Sequence, residues 1–267
     1  MKNTNSLDTL CAALCYAIGI EPPAQAAAPS EALCAYVDEK LGGKKVDRIF
    51  MFNPDAVAQW IYEKYPQMLT EMVVRTELSV PMCTVMPSVT PVCFGTMYTG
   101  AQPEVHGIRC YTKPVITIDT IYDALIRAGK KPAIVCTAGD SMSKIYLERD
   151  MDYYFYPTME EVNAKAAELI LADKHDFIAV YNGSYDTIMH KFGPESVEAL
   201  GELKANSRTF GMFDSMIREK WNQHNTLLGF AMDHGCHEID GSCGSHGLDM
   251  DEDLNILHRY VIHQKQA

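Results

Sequence analysis

Short apolar runs rich in β-branched and aromatic residues alternate with helical patterns from residue 46 onward. The runs predict strands at 46–52, 132–137, 152–156, 176–182 and 227–232, with 260–263 as an edge candidate. Apolar spacing close to the helical period predicts helices at 56–65, 120–128, 159–172 and 195–224. This alternation is typical of βαβ units. We therefore expect an α/β fold, a three-layer sandwich in which helices flank a mainly parallel central sheet.

The first 45 residues have a different pattern. An apolar run at 10–20, preceded by Lys2 and followed by Ala-Gln-Ala at 24–26, imitates a signal peptide. The basic region is a single lysine and Asp8 lies in the approach to the run, which favours a short amphipathic helix that ends at Gly19. We expect one domain over 1–267, with 1–45 as a helical segment packed on it. Cytoplasmic location is the favoured expectation and secretion the alternative.

Composition narrows the class of partner. The formal net charge of −12 argues against a broad basic surface for a nucleic-acid duplex, although bound cations can still attract a small anionic substrate. The nine cysteines are odd in number and lack paired CxxC spacing, so we interpret them as reduced thiols. No apolar stretch reaches the ~20 residues of a membrane span, and no membrane partner is expected. Nothing in the sequence indicates an oligomeric state.

Three aspartates lie just beyond predicted strands. Asp55, Asp186 and Asp233 each follow an apolar run, and ligands of parallel sheets bind beyond the carboxyl ends of strands. Each aspartate alone could be a helix N-cap or a turn residue. Two of the three are followed closely by histidines, which favours a metal site.

The histidines near these aspartates have a spacing suited to metal binding. On a helix, Asp186 and His190 would project from one face. Residues 233–247 contain three histidines, three carboxylates and four glycines. Carboxylates with imidazoles suit Zn²⁺ or Mn²⁺. A flexible polar loop with incidental histidines is the alternative interpretation.

A third informative segment covers residues 86–107. Thr90 followed by Pro91 predicts an N-cap and the first helical position of a short helix that ends near Gly100. A hydroxyl at that point would face an anion at the positive end of the helix. Thr90 could be a simple cap, or a nucleophile if a metal ion lowers the pKa of its hydroxyl.

Together these motifs resemble the type I phosphodiesterase and nucleotide pyrophosphatase branch of the alkaline phosphatase superfamily, over residues 46–247. The matching positions are Asp55, Pro87, Thr90, Thr99-Gly100, Pro103, His106-Gly107, Asp186, His190, Gly193-Pro194, Asp233-His234-Gly235 and His246. The resemblance implies an alkaline phosphatase-like fold. The chain is shorter than typical members of that family, so we expect a reduced or absent cap.

The resemblance also implies the roles of individual residues. One metal ion would be held by Asp186, His190 and His246. The other would be held by Asp55, Asp233 and His234. Thr90 would attack phosphorus between the two ions, most suitably Zn²⁺ with Mn²⁺ as an alternative.

Several positions near these motifs have other interpretations. His237 and Glu238 are alternative ligands or residues that orient the imidazoles. Ser88 is the alternative nucleophile, and His106 is assigned to structure. Sulfatases, a sister branch, carry an arginine after the nucleophile, and none occurs here between Thr90 and Arg109.

The substrate-binding residues are harder to predict. The family usually has an asparagine five residues after the histidine of His-Gly, where this chain has Tyr111. Arg109, Tyr111 and Lys113 are candidates for the same contact, or form a solvated basic patch. We expect a hydrolase of phosphodiester or pyrophosphate bonds in a small phosphorylated substrate. The alternatives are a phosphomonoesterase or phosphonate hydrolase, a phosphotransferase or mutase, and a metal-binding protein without turnover.

Overall fold

A computed structural model describes residues 1–266. Its strands are β1 Asn5–Ser6, β2 Arg48–Pro54, β3 Leu78–Cys83, β4 Pro132–Thr137, β5 Asp152–Tyr156, β6 Phe177–Asn182, β7 Thr226–Phe230, β8 His237–Ile239, β9 Cys243–Ser245 and β10 Asn255–His263. Its helices are α1 Thr9–Ile18, α2 Glu31–Leu41, α3 Gln59–Lys64, α4 Thr70–Val73, α5 Thr90–Thr99, α6 Pro103–His106, α7 Ile121–Arg127, α8 Met142–Ile145, α9 Met159–Ala172, α10 Ser184–Phe192, α11 Val197–Lys220 and α12 Asp251–Leu254.

Eight strands form one sheet in the order β1-β3-β10-β7-β2-β6-β4-β5. Strand β10 runs antiparallel to both of its neighbours, β3 and β7. The other paired strands of this sheet are parallel. The mainly parallel sheet predicted from the sequence is therefore confirmed. Strands β8 and β9 form a separate antiparallel hairpin.

Helices cover the sheet on both faces. Successive side chains of a strand point to opposite faces, so adjacent residues identify the two layers. The ring of Phe52 lies 6.4 Å from that of Phe210 on α11. The neighbouring Asn53 accepts a hydrogen bond from Tyr98 on α5 at 2.8 Å. Helix α11 and helix α5 therefore lie on opposite faces of β2, as the predicted three-layer sandwich requires.

Helix α5 is buried along its whole length, with all ten residues shielded from solvent. Helix α1 packs against it, and the thiol of Cys11 on α1 lies 3.5 Å from the carbonyl oxygen of Tyr98. Helix α1 ends at Ile18, and Gly19 takes a left-handed conformation with φ 74°. The predicted helix ending at Gly19 is confirmed. Among the helices described here, none combines the length and apolar character that crossing a bilayer requires.

The sheet differs from the sequence prediction near the chain's end. The edge assignment for 260–263 is wrong, because β10 spans nine residues and lies between two strands. Strand β3 was not predicted, since Pro81 interrupts an alternating segment and proline weakens a strand prediction. The residues of β10 that pair with β3 are 172 to 182 residues away in sequence, so no local pattern shows this pairing.

Two predicted helices are shorter in the structure. The helix expected at 56–65 begins at Gln59, because Ala56 takes a left-handed conformation with φ 60° and turns the chain after β2. The helix expected at 195–224 runs from Val197 to Lys220. It begins there because the Ser196 hydroxyl accepts a hydrogen bond from the Ala199 amide at 3.1 Å.

Candidate active site

The three aspartates that follow strands meet at one edge of the sheet. Strand β2 pairs in parallel with β6 on one side and with β7 on the other. Asp55 follows β2, Asp233 lies three residues beyond β7, and Asp186 lies on α10, which follows β6. Because parallel strands end at the same edge, these carboxylates converge.

One group of side chains, the inner cluster, consists of Asp55, Asp233 and His234. All three are buried. The Nε2 atom of His234 lies 3.2 Å from Asp55 Oδ1 and 3.4 Å from Asp233 Oδ2. These three atoms point to one location from two adjacent strand ends.

A second group, the outer cluster, consists of Asp186, His190 and His246. Helix α10 places Asp186 and His190 one turn apart, as the sequence predicted. The Nε2 atoms of the two histidines lie 3.1 Å apart, and they lie 3.2 Å and 3.3 Å from Asp186 Oδ1. The ring centroids of His246 and His234 are 4.1 Å apart, so the two clusters adjoin.

Each histidine of the two clusters is held in one tautomer. The Nδ1 atoms of His234, His190 and His246 donate to the carbonyl oxygens of Gly235, Gly244 and Ser88, each at 2.9 Å. A carbonyl oxygen accepts but cannot donate, so Nδ1 carries a proton and Nε2 is the nitrogen available to a metal ion. Metal-binding imidazoles show this arrangement in other proteins.

The carboxylates of the two clusters also match a cation site. Asp55 Oδ1, Asp186 Oδ1 and Asp233 Oδ2 are buried and accept no hydrogen bond from residues 1–266. A buried carboxylate oxygen without a partner is costly unless a cation neutralises it. The three oxygens are the same atoms that approach the imidazole Nε2 atoms. The donor set therefore fits two divalent cations.

The pKa shifts of the three aspartates also indicate a site for divalent cations. Burial, followed by the charge of Asp186, raises the pKa of Asp55 to about 7, and burial raises the pKa of Asp233 well above its ordinary value. For Asp186, burial opposes ionisation, but the imidazoles of His190 and His246 next to its carboxylate hold its pKa below the ordinary value. Carboxylates crowded in this way are stabilised as anions by added positive charge.

Thr90 lies beside the inner cluster. It is the first residue of α5 and is 3% exposed. Its hydroxyl oxygen lies 3.3 Å from Asp55 Oδ2 and 3.4 Å from His234 Nε2. The prediction that Thr90 is the N-cap is wrong, because the extended residue Val89 occupies that position. The distances to Asp55 and His234 show that the Thr90 hydroxyl is directed at the inner cluster.

A cleft of about 360 Å³ opens next to Thr90 and Asp55. The described residues that line it include Tyr111 and Lys113 but not Arg109. The Lys113 ammonium donates to the carbonyl oxygen of Gly139 at 2.9 Å. Arg109 is exposed and donates to the carbonyl oxygen of Glu104 at 3.2 Å. The structure brings two of the three predicted substrate-binding residues to the cleft.

The alternative ligands and the alternative nucleophile have other contacts. His237 lies outside both clusters, and its Nδ1 atom is 2.7 Å from Asp253 Oδ1. Glu238 is exposed on β8. The Ser88 hydroxyl accepts a hydrogen bond from the Gly247 amide at 3.1 Å. Residue His106 packs beneath α5, with its Nε2 atom 3.1 Å from the Thr96 hydroxyl.

Sequence reasoning missed two residues of the site. Tyr181 is the penultimate residue of the buried strand β6 and donates its hydroxyl hydrogen to Asp55, but in sequence it is one more aromatic in an apolar run. Asp253 is fully buried. It forms a hydrogen bond with His237 and accepts another from the Leu248 amide at 2.8 Å. These contacts hold the first residue of β8 and the segment after β9. No spacing pattern marks Tyr181, because its partner Asp55 is 126 residues away in sequence.

The model of a family described as type I phosphodiesterase / nucleotide pyrophosphatase matches residues 116–265, more than half of the 267 residues. The matched range includes the outer cluster and two residues of the inner cluster, Asp233 and His234. Asp55 and Thr90 lie before it.

Two venom proteins are similar in sequence. Venom phosphodiesterase of Macrovipera lebetinus is 30% identical over 184 residues, covering 59% of this chain and 21% of that protein. Venom phosphodiesterase 2 of Crotalus adamanteus is 27% identical over 183 residues, covering 59% of this chain and 22% of that protein. The chain thus spans about a fifth of the length of these relatives.

Solved structures show the same fold. Murine ectonucleotide pyrophosphatase / phosphodiesterase 5 superposes with a TM-score of 0.59 at 18% identity, covering 73% of this chain and 58% of that chain. An inactive variant of the same murine protein, in complex with AMP, gives a TM-score of 0.59 at 17% identity, with 73% and 59% covered. The predicted alkaline phosphatase-like sandwich is confirmed by these neighbours.

Proposed function

The chain belongs to the type I phosphodiesterase / nucleotide pyrophosphatase family, and from this premise we propose that it hydrolyses a phosphodiester or pyrophosphate bond in a small phosphorylated substrate. The observation that carries the proposal is the Thr90 hydroxyl beside two converged sets of ligand atoms. The complete donor set argues against a binding protein without turnover.

The residues divide into two metal sites and a nucleophile. Asp55, Asp233 and His234 would hold one divalent ion. The outer cluster would hold the other. Zn²⁺ suits these oxygen and nitrogen donors best, and Mn²⁺ is the alternative. When bound, such ions lower the pKa of a coordinated hydroxyl and neutralise charge that develops on phosphoryl oxygens.

The reaction on Thr90 has two displacements. The Thr90 oxygen attacks phosphorus, the bond to the leaving group breaks, and that group departs with the bonding electron pair. The hydroxyl proton lies towards Asp55 Oδ2, the acceptor at 3.3 Å. Water then attacks the phosphothreonine from the vacated side: the water oxygen bonds to phosphorus, the bond between phosphorus and the Thr90 oxygen breaks, and one water proton is transferred to the Thr90 oxygen as the phosphorylated product leaves. The cleft next to Thr90 would receive the rest of the substrate, with Tyr111 and Lys113 on its wall.

The test compares three forms of the protein. Wild type, Thr90→Ala and Ser88→Ala are supplied with Zn²⁺ or Mn²⁺ after chelation and assayed on bis-p-nitrophenyl phosphate and p-nitrophenyl phosphate. We expect metal-dependent turnover that favours the diester, a loss of several orders of magnitude in Thr90→Ala with both ions retained, and substantial activity in Ser88→Ala. Preference for the monoester would indicate a phosphomonoesterase. Full activity in Thr90→Ala would refute the assignment of the nucleophile.

A further inference from the structure

Tyr181 connects the sheet, the helix of Thr90 and the inner cluster. It lies near the end of β6 and is 5% exposed. Its hydroxyl donates a hydrogen bond to Asp55 Oδ2. Its ring packs edge-on against Phe94 of α5, with ring centroids 5.4 Å apart and planes at 84°. The ring is therefore fixed by packing while its hydroxyl reaches a candidate metal ligand.

This hydrogen bond makes the two oxygens of Asp55 unequal. Oδ2 faces two donors, the hydroxyls of Tyr181 and Thr90. Oδ1 accepts no hydrogen bond from residues 1–266 and lies 3.2 Å from His234 Nε2. A free carboxylate could rotate and exchange its oxygens. The Tyr181 hydroxyl holds Asp55 with Oδ1 towards the other ligand atoms of the inner cluster.

The backbone next to Tyr181 leaves space for this arrangement. A Cβ atom added to Gly183 would lie 2.9 Å from the Tyr181 hydroxyl oxygen and 3.3 Å from Cζ. Such contacts are closer than side chains tolerate, so a larger residue at 183 would push the hydroxyl away from Asp55. Gly183 is also the N-cap residue of α10, which carries two ligands of the outer cluster.

We propose that Tyr181 is a positioning residue that orients Asp55 for the inner metal ion and so sets the affinity of that site. The inference rests on the proposed metal-dependent function. A carboxylate oxygen accepts, so the Tyr181 hydroxyl is the donor in this hydrogen bond. Hydrogen bonds from an outer residue to a metal ligand contribute about 10–100-fold to metal affinity.

The decisive variant is Tyr181→Phe, which keeps the ring and removes the hydroxyl. Tyr146→Phe is the matched control, since Tyr146 is equally buried and donates to the carbonyl oxygen of Phe94 but touches no ligand of either cluster. Both changes are made in wild type and in His190→Ala, in which the outer cluster lacks one ligand. Co²⁺ is titrated into the chelated protein and followed by visible absorption.

We expect Tyr181→Phe to lower the affinity of the inner ion by about 10–100-fold and to change its absorption bands, with Tyr146→Phe close to its parent. A purely structural role would instead lower the unfolding free energy of both variants and leave Co²⁺ affinity unchanged. Equal affinity in Tyr181→Phe and its parent overturns the inference while leaving the proposed function intact. Failure of the unaltered protein to bind Co²⁺ overturns both.

A second pair of variants tests whether a change at Gly183 alters the affinity of the inner ion by displacing the Tyr181 hydroxyl. Gly183→Ala leaves every ligand in place and is expected to lower the inner-ion affinity about tenfold. In a Tyr181→Phe background the same change has no hydroxyl to displace, so its effect is expected to be much smaller. Equal effects of Gly183→Ala in both backgrounds would contradict the proposed role of Tyr181.

Discussion

The inner and outer clusters use the same ligand types but are built differently. The residues of the inner cluster follow two adjacent central strands, β2 and β7, and the side chain of His234 is fully buried. The outer cluster combines a helix with the loop after a two-stranded hairpin, and the His190 side chain is 41% exposed. The difference indicates that the sheet fixes the inner cluster, whereas hydrogen bonds to the carbonyl oxygens of Gly244 and Ser88 hold the histidines of the outer cluster.

Supporting contacts differ in the same way. His258, on β10, donates from Nε2 to the carbonyl oxygen of Met232, directly before Asp233 of the inner cluster, at 2.7 Å. In the outer cluster, His190 and His246 depend on the carbonyl oxygens of Gly244 and Ser88. Substitutions in the core, such as at His258, should therefore displace the side chains of the inner cluster. Substitutions near Gly244 and Ser88 should instead increase the mobility of the histidines in the outer cluster.

The largest effect is expected from the inner cluster. Asp233→Asn removes a ligand charge and should lower the rate of bis-p-nitrophenyl phosphate hydrolysis by at least about 10³-fold, because charge stabilisation in the transition state is lost. Since burial and the charge of Asp55 already raise the pKa of Asp233, the chelated variant should unfold at the same or a higher denaturant concentration. Rate assays, elemental analysis and urea titration measure these results. Two ions bound at wild-type affinity would contradict the ligand assignment.

A smaller effect is expected from the outer cluster. His190→Ala should lower the affinity of one ion by at least about 100-fold, because the loss of a ligand should cost no less than the loss of a residue that only orients one. The side chain is partly exposed, so the unfolding free energy of the chelated protein should change by less than about 1 kcal/mol. Competition with a coloured chelator measures affinity, and His224→Ala, away from both clusters, is the control. Unchanged binding of both ions would show that His190 is not a ligand.

The change expected to affect the reaction least concerns pH and the core beneath the inner cluster. Burial lowers the pKa of His258 to about 4, whereas the unfolded chain has a value near ~6.5. The unfolded chain therefore binds a proton between these values, and the unfolding free energy should fall by up to about 3 kcal/mol as pH decreases from 6.5 to 4. Urea unfolding of the chelated protein at several pH values tests this. His258→Gln should show a shallower pH dependence, and parallel curves would exclude the contribution of His258.

Much of the fold could be predicted because its signals are local. The boundaries of Pro132–Thr137, Asp152–Tyr156 and Met159–Ala172 agree with the prediction, since apolar runs and helical spacing repeat over short distances. The turn after β2 could not be predicted, because the left-handed Ala56 depends on tertiary contacts such as its amide's approach to Asp233 Oδ1 at 3.3 Å. The cytoplasmic location and the number of domains stay predictions.

The sequence by itself determined which residue types are available for a metal site and placed Asp186 and His190 on one helix face, because that relation depends on helical spacing alone. Tertiary structure decided which atoms converge. The pairing of β2 with β7, the carbonyl partners of the three histidines and the contact of Tyr181 with Asp55 join segments that are far apart in the chain. Their geometry follows from packing of the whole sheet and its helices, which no local pattern encodes.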